Sequence, residues 1–270
     1  MAALPVTLLV LARPDVGTAQ DTATIGGFHN AAFSDSEAIA RWILAYDRVA
    51  WVTSDSVLAA PVDIRSRLGG EWFCYQEHGL WHAIYGRYSS DRDLYEIVLH
   101  YQGSGNLQFR TTAAPLDTGS FRPLARALSR GRSAFPDSLA RMGVAFNQYL
   151  RRLADSTIDI WYLPAQQTNG LITWGVEVRQ VYSPDGRTLV KTATAGHGLR
   201  GIYPDTTREV QIDEQEHEVP SVGSIFFLLS YHGAFRHIGV WTSQFLSTIA
   251  EADNGQLVWI HAVRGGSGKN

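Results

Sequence analysis

The stretch that decides the fold begins Glu71-Trp-Phe-Cys-Tyr-Gln76, breaks at Glu77-His-Gly79, and resumes as Leu80-Trp-His-Ala-Ile-Tyr-Gly-Arg-Tyr88. Both runs are short and rich in aromatic and branched residues, which favours β-strands, and the break suits a hairpin loop. Two similar runs follow, at residues 94–101 and 107–112, after further polar or glycine-containing breaks. The sequence therefore predicts a four-stranded antiparallel meander.

Helical patterns lie on both sides of this meander. Ser34 or Asp35 can cap an N-terminal helix in which apolar residues recur every three or four positions, at Ile39, Trp42, Ile43 and Tyr46. Residues 115–120 form a linker. The two apolar patterns that follow, over 121–130 and 136–154, predict a central helical pair.

Strand patterns return after this helical pair. They lie at residues 158–163, 171–182, 188–194, 208–212, 237–242, 245–251 and 257–262. Residues 222–231 interrupt them, and because this segment is apolar on nearly every side it predicts a buried helix. Since the strands cluster and do not alternate one by one with helices, the predicted class is α+β with mainly antiparallel sheets.

The N-terminus predicts export. Leu4-Pro-Val-Thr-Leu-Leu-Val-Leu-Ala12 is an apolar run, and Gly17-Thr-Ala19 before Gln20 is typical of a signal-peptidase site. The run is too short to cross a bilayer of about 30 Å, so we expect no membrane span after cleavage. The expected location is the bacterial periplasm or the outside of the cell.

The predicted domain organisation follows from these segments. We expect a signal peptide at 1–19, a flexible mature N-terminus at 20–33, a helix plus meander over 34–114, a helical pair with an α+β unit over 115–264, and a polar tail at 265–270. Whether the two large units are one domain or two stays open.

Composition argues against a nucleic-acid partner and excludes an internal disulfide bond. The 23 basic and 26 acidic residues give a net charge of −3, and the Lys and Arg residues form no dense cluster along the sequence. Nucleic acid is therefore not an expected partner. A single cysteine excludes an internal disulfide. Cys74 lies in a strand-like run and not at a helix N-terminus, which argues against a reactive thiolate. Gln20 at the cleavage site excludes a lipoprotein anchor, which needs a cysteine there.

Motifs for metal and serine chemistry are incomplete. His78 and His82 are four residues apart, but they straddle Gly79 in a β-like stretch where a zinc-binding pair would need a helix. The acidic run 213–218 lacks the glycine of a calcium loop and predicts a solvated turn. Because no Gly-x-Ser-x-Gly elbow is present, Ser221 and Ser224 are interpreted as helix caps. No metal or cofactor is predicted.

One part of the chain resembles a known family. Glu177 on a strand, Gly-His-Gly at 196–198, and Pro220-Ser221 ahead of a buried helix follow the order of motifs in the JAB/MPN metallo-isopeptidase fold. That family forms a zinc site from Glu, His-x-His-Pro and Pro-Ser-x-x-Asp motifs. Here Leu199 and Ser224 stand where the second His and the Asp belong. The resemblance therefore implies a related fold without a complete zinc site.

This first resemblance spans residues 161–262 at most. A second one covers more of the chain, because the aromatic hairpins after a signal peptide, the strand Trp161-Tyr-Leu-Pro164 and the segment 219–227 resemble exported bacterial proteins of uncharacterised function. It implies a location and an architecture, and it implies no chemistry.

Aromatic residues are the remaining feature. The chain has eight Trp and eleven Tyr, and six of them crowd into the meander: Trp72, Trp81, Tyr85, Tyr88, Tyr95 and Tyr101. Trp81 and Tyr85 share one face of their strand, because successive strand residues point to opposite sides. If that face is open, both can stack on a sugar ring or a partner surface. If helices cover both faces, all six belong to the core.

Two functions remain after these exclusions. The lack of a complete catalytic set favours an exported, non-catalytic protein that binds an unknown envelope protein or glycan, with Trp81 and Tyr85 as candidate binding residues. The alternative is a periplasmic or secreted hydrolase that draws its acid and base from Glu177, His197 or His217.

Overall fold

The computed structural model describes residues 30–104, 108–112, 117, 119–167, 169–196 and 198–263. The predicted signal peptide, most of the predicted flexible N-terminus and the polar tail lie outside these residues. Within them the chain forms five α-helices and fourteen strands in mainly antiparallel sheets, which confirms the α+β class.

The elements are numbered in chain order. The helices are α1 (Ala31–Leu58), α2 (Val62–Ser66), α3 (Arg122–Ser133), α4 (Asp137–Ala140) and α5 (Val222–Tyr231). The first seven strands are β1 (Glu71–Glu77), β2 (Leu80–Ser89), β3 (Leu94–Gly103), β4 (Phe109–Thr112), β5 (Phe146–Arg152), β6 (Ile158–Pro164) and β7 (Ile172–Trp174). The others are β8 (Glu177–Tyr182), β9 (Leu189–Ala195), β10 (Arg200–Ile202), β11 (Asp205–Glu214), β12 (Phe235–Thr242), β13 (Phe245–Glu251) and β14 (Leu257–Val263).

Helix α1 is longer than its predicted core. It begins one turn earlier, because the Asn30 side chain accepts a hydrogen bond from the backbone N–H of Phe33 at 3.2 Å and caps the helix. It continues through the stretch after Trp51, where the sequence pattern fits a strand as well as a helix. Its buried side, which includes Ile43, Tyr46 and Val49, packs against α5 and the meander.

The predicted meander is present. Strands β1 to β4 pair in sequence order and antiparallel, and the first hairpin turns at His78 and Gly79, which have φ angles of 51° and 77°. Glycine adopts this left-handed backbone without strain, so Gly79 supplies the turn that the sequence predicts. The sheet is thus built from local hairpins.

The prediction of a second central helix over 136–154 is wrong for most of that range. Only the single turn of α4 is helical, and Gly143, at φ 67°, breaks the pattern before β5 begins. Strand β5 pairs antiparallel with β6 along seven residues. Apolar residues over 146–154 fit either period, and the hydrogen bonds offered by β6 decide in favour of a strand.

Two four-stranded sheets make up the second half. One has the order β5-β6-β8-β9 and is antiparallel. The other has the order β11-β12-β13-β14, in which β11 and β12 are parallel. The predicted strand 171–182 is divided at Gly175, and its first part, β7, pairs with β10 as a separate ribbon. Helix α5 packs against α1, β7, β12 and β13 and is buried, as predicted.

No helix in the described part of the chain is both long and apolar enough to span a membrane.

Candidate functional site

Trp81 and Tyr85 lie in the core of the structure. Trp81 is 9% exposed and Tyr85 is 6% exposed. Helix α1 covers them, since the Tyr46 ring packs edge-on against Trp81 and the Thr53 hydroxyl lies 2.8 Å from the Tyr85 hydroxyl. This face of the meander is therefore covered by a helix at Trp81 and Tyr85 and is not open to solvent. Neither ring is available for stacking on a ligand.

A cleft opens instead at the N-terminus of α5. It lies between this helix and the strands β7 and β8, and it is narrow, with room inside for little more than a water molecule. Aromatic rings line it, among them Trp174, Phe227 and Tyr231, together with polar side chains that include Glu177 and Ser221.

Glu177 is the titratable group in this cleft. It is the first residue of β8, half-buried, and its carboxylate accepts a hydrogen bond from the backbone N–H of Gly223 in α5. Burial raises the pKa of the Glu177 carboxyl to about 7, and the nearby Glu214 carboxylate acts in the same direction. The Gly223 hydrogen bond and Arg179 oppose the shift. Glu177 therefore changes charge close to neutral pH.

Glu214 is the second acid at this end of α5. It is 3% exposed and accepts three hydrogen bonds of 2.6 to 2.7 Å, from the Ser221 N–H, the Ser221 hydroxyl and the Ser224 hydroxyl. The prediction of a solvated turn over 213–218 is wrong for this residue, because β11 continues through Glu214 and turns its side chain inward. The cap predicted at Ser221 is confirmed by its 3.2 Å bond from the Ser224 N–H.

These contacts also have a structural role. Two carboxylates, from strands of different sheets, bind the N-terminal turn of α5, where the helix dipole favours negative charge. The pair therefore joins β8, β11 and α5 at one point.

A close backbone crossing forms the wall beside Glu177. Gly196 has a φ of 109°, and a Cβ atom there would lie 2.0 Å from the Gly175 carbonyl oxygen. Only glycine permits this approach. The crossing holds the end of β9 against the segment that leads into Glu177.

The other predicted candidates do not join this cleft in the described structure. His197 lies outside the described residues. His217 is on the turn after β11, where its Nε2 is 3.1 Å from the Glu216 carboxylate, and it does not line the cleft. Cys74 is buried, and burial together with Asp47 raises the pKa of its thiol. No group of three or more potential metal-ligating side chains occurs within the described ranges.

Strand β9 is exposed along nearly all of its length, and its last residue lies at the cleft. It forms the edge of its sheet, and every residue from Leu189 to Thr194 is exposed, with Val190 at 62%. Its last residue, Ala195, is half-buried, pairs with Glu177 and lines the cleft. Among the described strands, β8 alone pairs with β9.

Comparison of the chain with protein-family models, curated proteins and solved structures found no match. The family resemblances drawn from the sequence therefore stay predictions. The two features that remain for a functional assignment are the cleft at α5 and the open edge of β9.

We expect Glu177→Gln to raise the free energy of unfolding at pH 8 by about 2 kcal/mol and to leave it nearly unchanged at pH 4.5. The folded carboxyl keeps its proton up to about pH 7, whereas the unfolded one releases it near 4.5, so wild-type stability falls as the pH rises between these values. Glutamine has no charge to bury, and its carbonyl can still accept from Gly223.

The measurement is urea denaturation of both proteins at the two pH values. Glu216→Gln, at a residue whose side chain is 50% exposed, is the matched control and should change stability by less than about 0.5 kcal/mol. Equal effects of Glu177→Gln at both pH values would contradict the shifted pKa.

Proposed function

We propose that this protein is an exported, non-catalytic binding protein of the bacterial envelope that captures an extended segment of a partner polypeptide along β9. The observation that supports the proposal is the open outer edge of β9, which carries seven residues of strand with no other described strand beside it. Export rests on the apolar segment and the cleavage-like site in the first twenty residues.

The chemistry of the edge favours a polypeptide as the ligand. In an antiparallel strand, alternate residues direct their N–H and C=O groups away from the neighbouring strand. On the outer edge of β9 these groups have no strand partner among the described residues, and an added strand satisfies them with the correct spacing. A glycan offers no such regular row of donors and acceptors.

The side chains of β9 also suit contact with another chain. Leu189 and Val190 are exposed apolar residues, and the strand continues with small Thr and Ala side chains that allow close approach. Lys191 is the only charged residue in the strand. Together with the register shift opposite Val181 and Tyr182, this lysine limits unselective edge pairing.

The cleft continues this surface. A segment that pairs with β9 ends beside Ala195, which lines the cleft. Glu177 pairs with Ala195 from β8, on the other side of β9 from the open edge, so the main-chain groups of β9 carry the proposed binding.

The raised pKa of Glu177 favours a second candidate, the hydrolase. A carboxyl group that titrates near pH 7 is matched to general acid or base catalysis at neutral pH. Yet the hydrogen bonds of Glu177 and Glu214 hold α5, and no second acid or base predicted from the sequence joins them among the described residues. We therefore place binding first. Incubating a bound peptide with wild type and with Glu177→Gln, followed by mass spectrometry, tests for peptide hydrolysis: a binding protein leaves the peptide intact, whereas a peptidase that uses Glu177 cleaves it only as wild type.

The binding test selects ligands from a phage-displayed library of random linear peptides. The probe is wild-type protein from the periplasmic fraction, with its intact mass checked for loss of residues 1–19. Lys191→Pro and Thr192→Pro are both prepared, because one of two adjacent residues directs its N–H outward and the other toward β8. The outward one should keep the wild-type melting temperature.

Selected peptides should bind the outward proline variant at least tenfold more weakly, because proline removes an edge donor. Alanine at the same position keeps the N–H and should bind like wild type. Equal binding to the proline variant would overturn the proposal. Failure to select any peptide, with binding instead on a glycan array, would assign the protein to glycans.

A further inference from the structure

Two buried histidines face each other across the meander. The rings of His82 in β2 and His100 in β3 stack with centroids 5.2 Å apart, and His82 Nδ1 lies 2.9 Å from His100 Nε2. Both residues are less than 10% exposed. Tyr75 of β1 stacks on His82 at 4.7 Å. The three rings form a continuous stack across three strands.

A hydrogen bond between two imidazole nitrogens needs one donor and one acceptor. The neutral pair and the singly protonated pair both meet this requirement. When both rings are protonated, each facing nitrogen carries a hydrogen, so the bond is lost and two positive charges lie together away from water. The 2.9 Å contact between His82 and His100 is therefore compatible with at most one extra proton.

The charged groups around the pair act in both directions. Burial and His100 lower the pKa of the His82 imidazole, and His78 in the β1–β2 turn adds to this effect. Glu77 at the end of β1 opposes it. The net direction is downward, so an open state takes up more protons than the closed one below about pH 6.5. Acid thus favours opening.

The stack leads to the start of α3. The Phe121 ring packs against Tyr75 at 5.5 Å and against Phe73 at 5.6 Å. The Phe121 N–H donates to the Asp117 carboxylate at 3.3 Å, which fixes the entry into the helix. Tyr75 is therefore the link between the histidine pair and the attachment of α3.

We propose that His82 and His100 form a pH-sensitive clasp, closed at neutral pH and opened in acid, that controls how firmly the N-terminus of α3 is held on the meander. Double protonation separates the two rings, Tyr75 loses its stacking partner, and Phe121 loses its support. This device is independent of the binding proposed for β9.

Hydrogen exchange of backbone amides, followed by mass spectrometry at pH 7 and pH 5, tests the clasp. The variant is His100→Gln, which can donate and accept a hydrogen bond but does not titrate in this range. Comparing wild type with the variant at the same pH cancels the effect of pH on intrinsic exchange. His217→Gln, on an exposed turn, is the control.

At pH 5, wild-type amides in β2, β3 and residues 119–131 should exchange at least tenfold faster relative to His100→Gln, while β12 to β14 show no such difference. At pH 7 the two proteins should match. An equal response of the two proteins to acid, or a wild-type increase spread evenly over all elements, would overturn the proposal. If His100→Gln does not fold, His82→Gln is measured under the same criteria.

Discussion

Trp81→Ala is expected to lower the free energy of unfolding by roughly 3 to 5 kcal/mol, the usual range for removing a tryptophan from a packed core. The side chain is 9% exposed and lies under α1, with the Tyr46 ring against it. The small alanine leaves a cavity that rigid strands on either side cannot fill. Urea denaturation monitored by far-UV circular dichroism measures the change.

The matched control is Trp51→Ala. Trp51 is on the same helix that covers Trp81, but it is 67% exposed, so its removal should change stability by less than about 0.5 kcal/mol. Stability close to wild type for Trp81→Ala would mean that the face is open. Trp81 and Tyr85 would then again be candidates for stacking on a ligand, as the sequence predicts.

Asp159→Ala is expected to destabilise the protein by about 3 kcal/mol or more. Asp159 is fully buried, and its carboxylate accepts hydrogen bonds from Arg151 Nε at 3.2 Å, Arg179 Nε at 2.7 Å and the Trp161 indole N–H at 3.1 Å. Removing one partner of such a network leaves charges and a donor without their acceptor, which typically costs about 3 to 5 kcal/mol. Partial exposure of both arginines places the expected value at the lower end.

Two comparisons make this result specific. Asp159→Asn keeps an acceptor for one arginine and should cost less than the alanine variant. Asp55→Ala, on the exposed side of α1, should be close to neutral. Thermal and urea unfolding of the three variants give the ranking, and an Asp159→Ala protein as stable as Asp55→Ala would contradict the assigned network.

Local sequence signals predict the hairpins well. Turn residues such as His78 and Gly79, or Asn254 and Gly255, lie between apolar runs, and each turn connects neighbours in the chain. No distant residue is needed to form these pairs. The meander and the last strands are therefore predictable from short windows.

Signals that depend on distant partners are missed. Residues 146–152 fit helical and strand periods alike, and only pairing with β6 decides the outcome. The cover over Trp81 and Tyr85 comes from α1, which lies far from them in sequence. Whether an aromatic residue in a sheet is exposed depends on such packing. The alternation of residues along one strand does not show which face of the sheet is covered.

The candidate site divides in the same way. Glu177 can be singled out from the sequence, but its neighbour Glu214 lies in an acidic run that looks solvated. The two meet only because the start of β8 and the end of β11 both lie at the N-terminus of α5. Strand β9 is visible as a strand pattern, whereas its place at the edge of a sheet follows from the strand order, which no local pattern encodes.

The most direct test of capture along β9 is hydrogen exchange of its own amides with and without a peptide selected on the wild-type protein. Alternate amides within residues 189–195, those on the outer edge, should exchange at least tenfold more slowly in the complex, with no comparable change in the meander. Unchanged exchange throughout β9 in a saturated complex, with protection appearing elsewhere, would contradict the assignment of this edge as the binding surface.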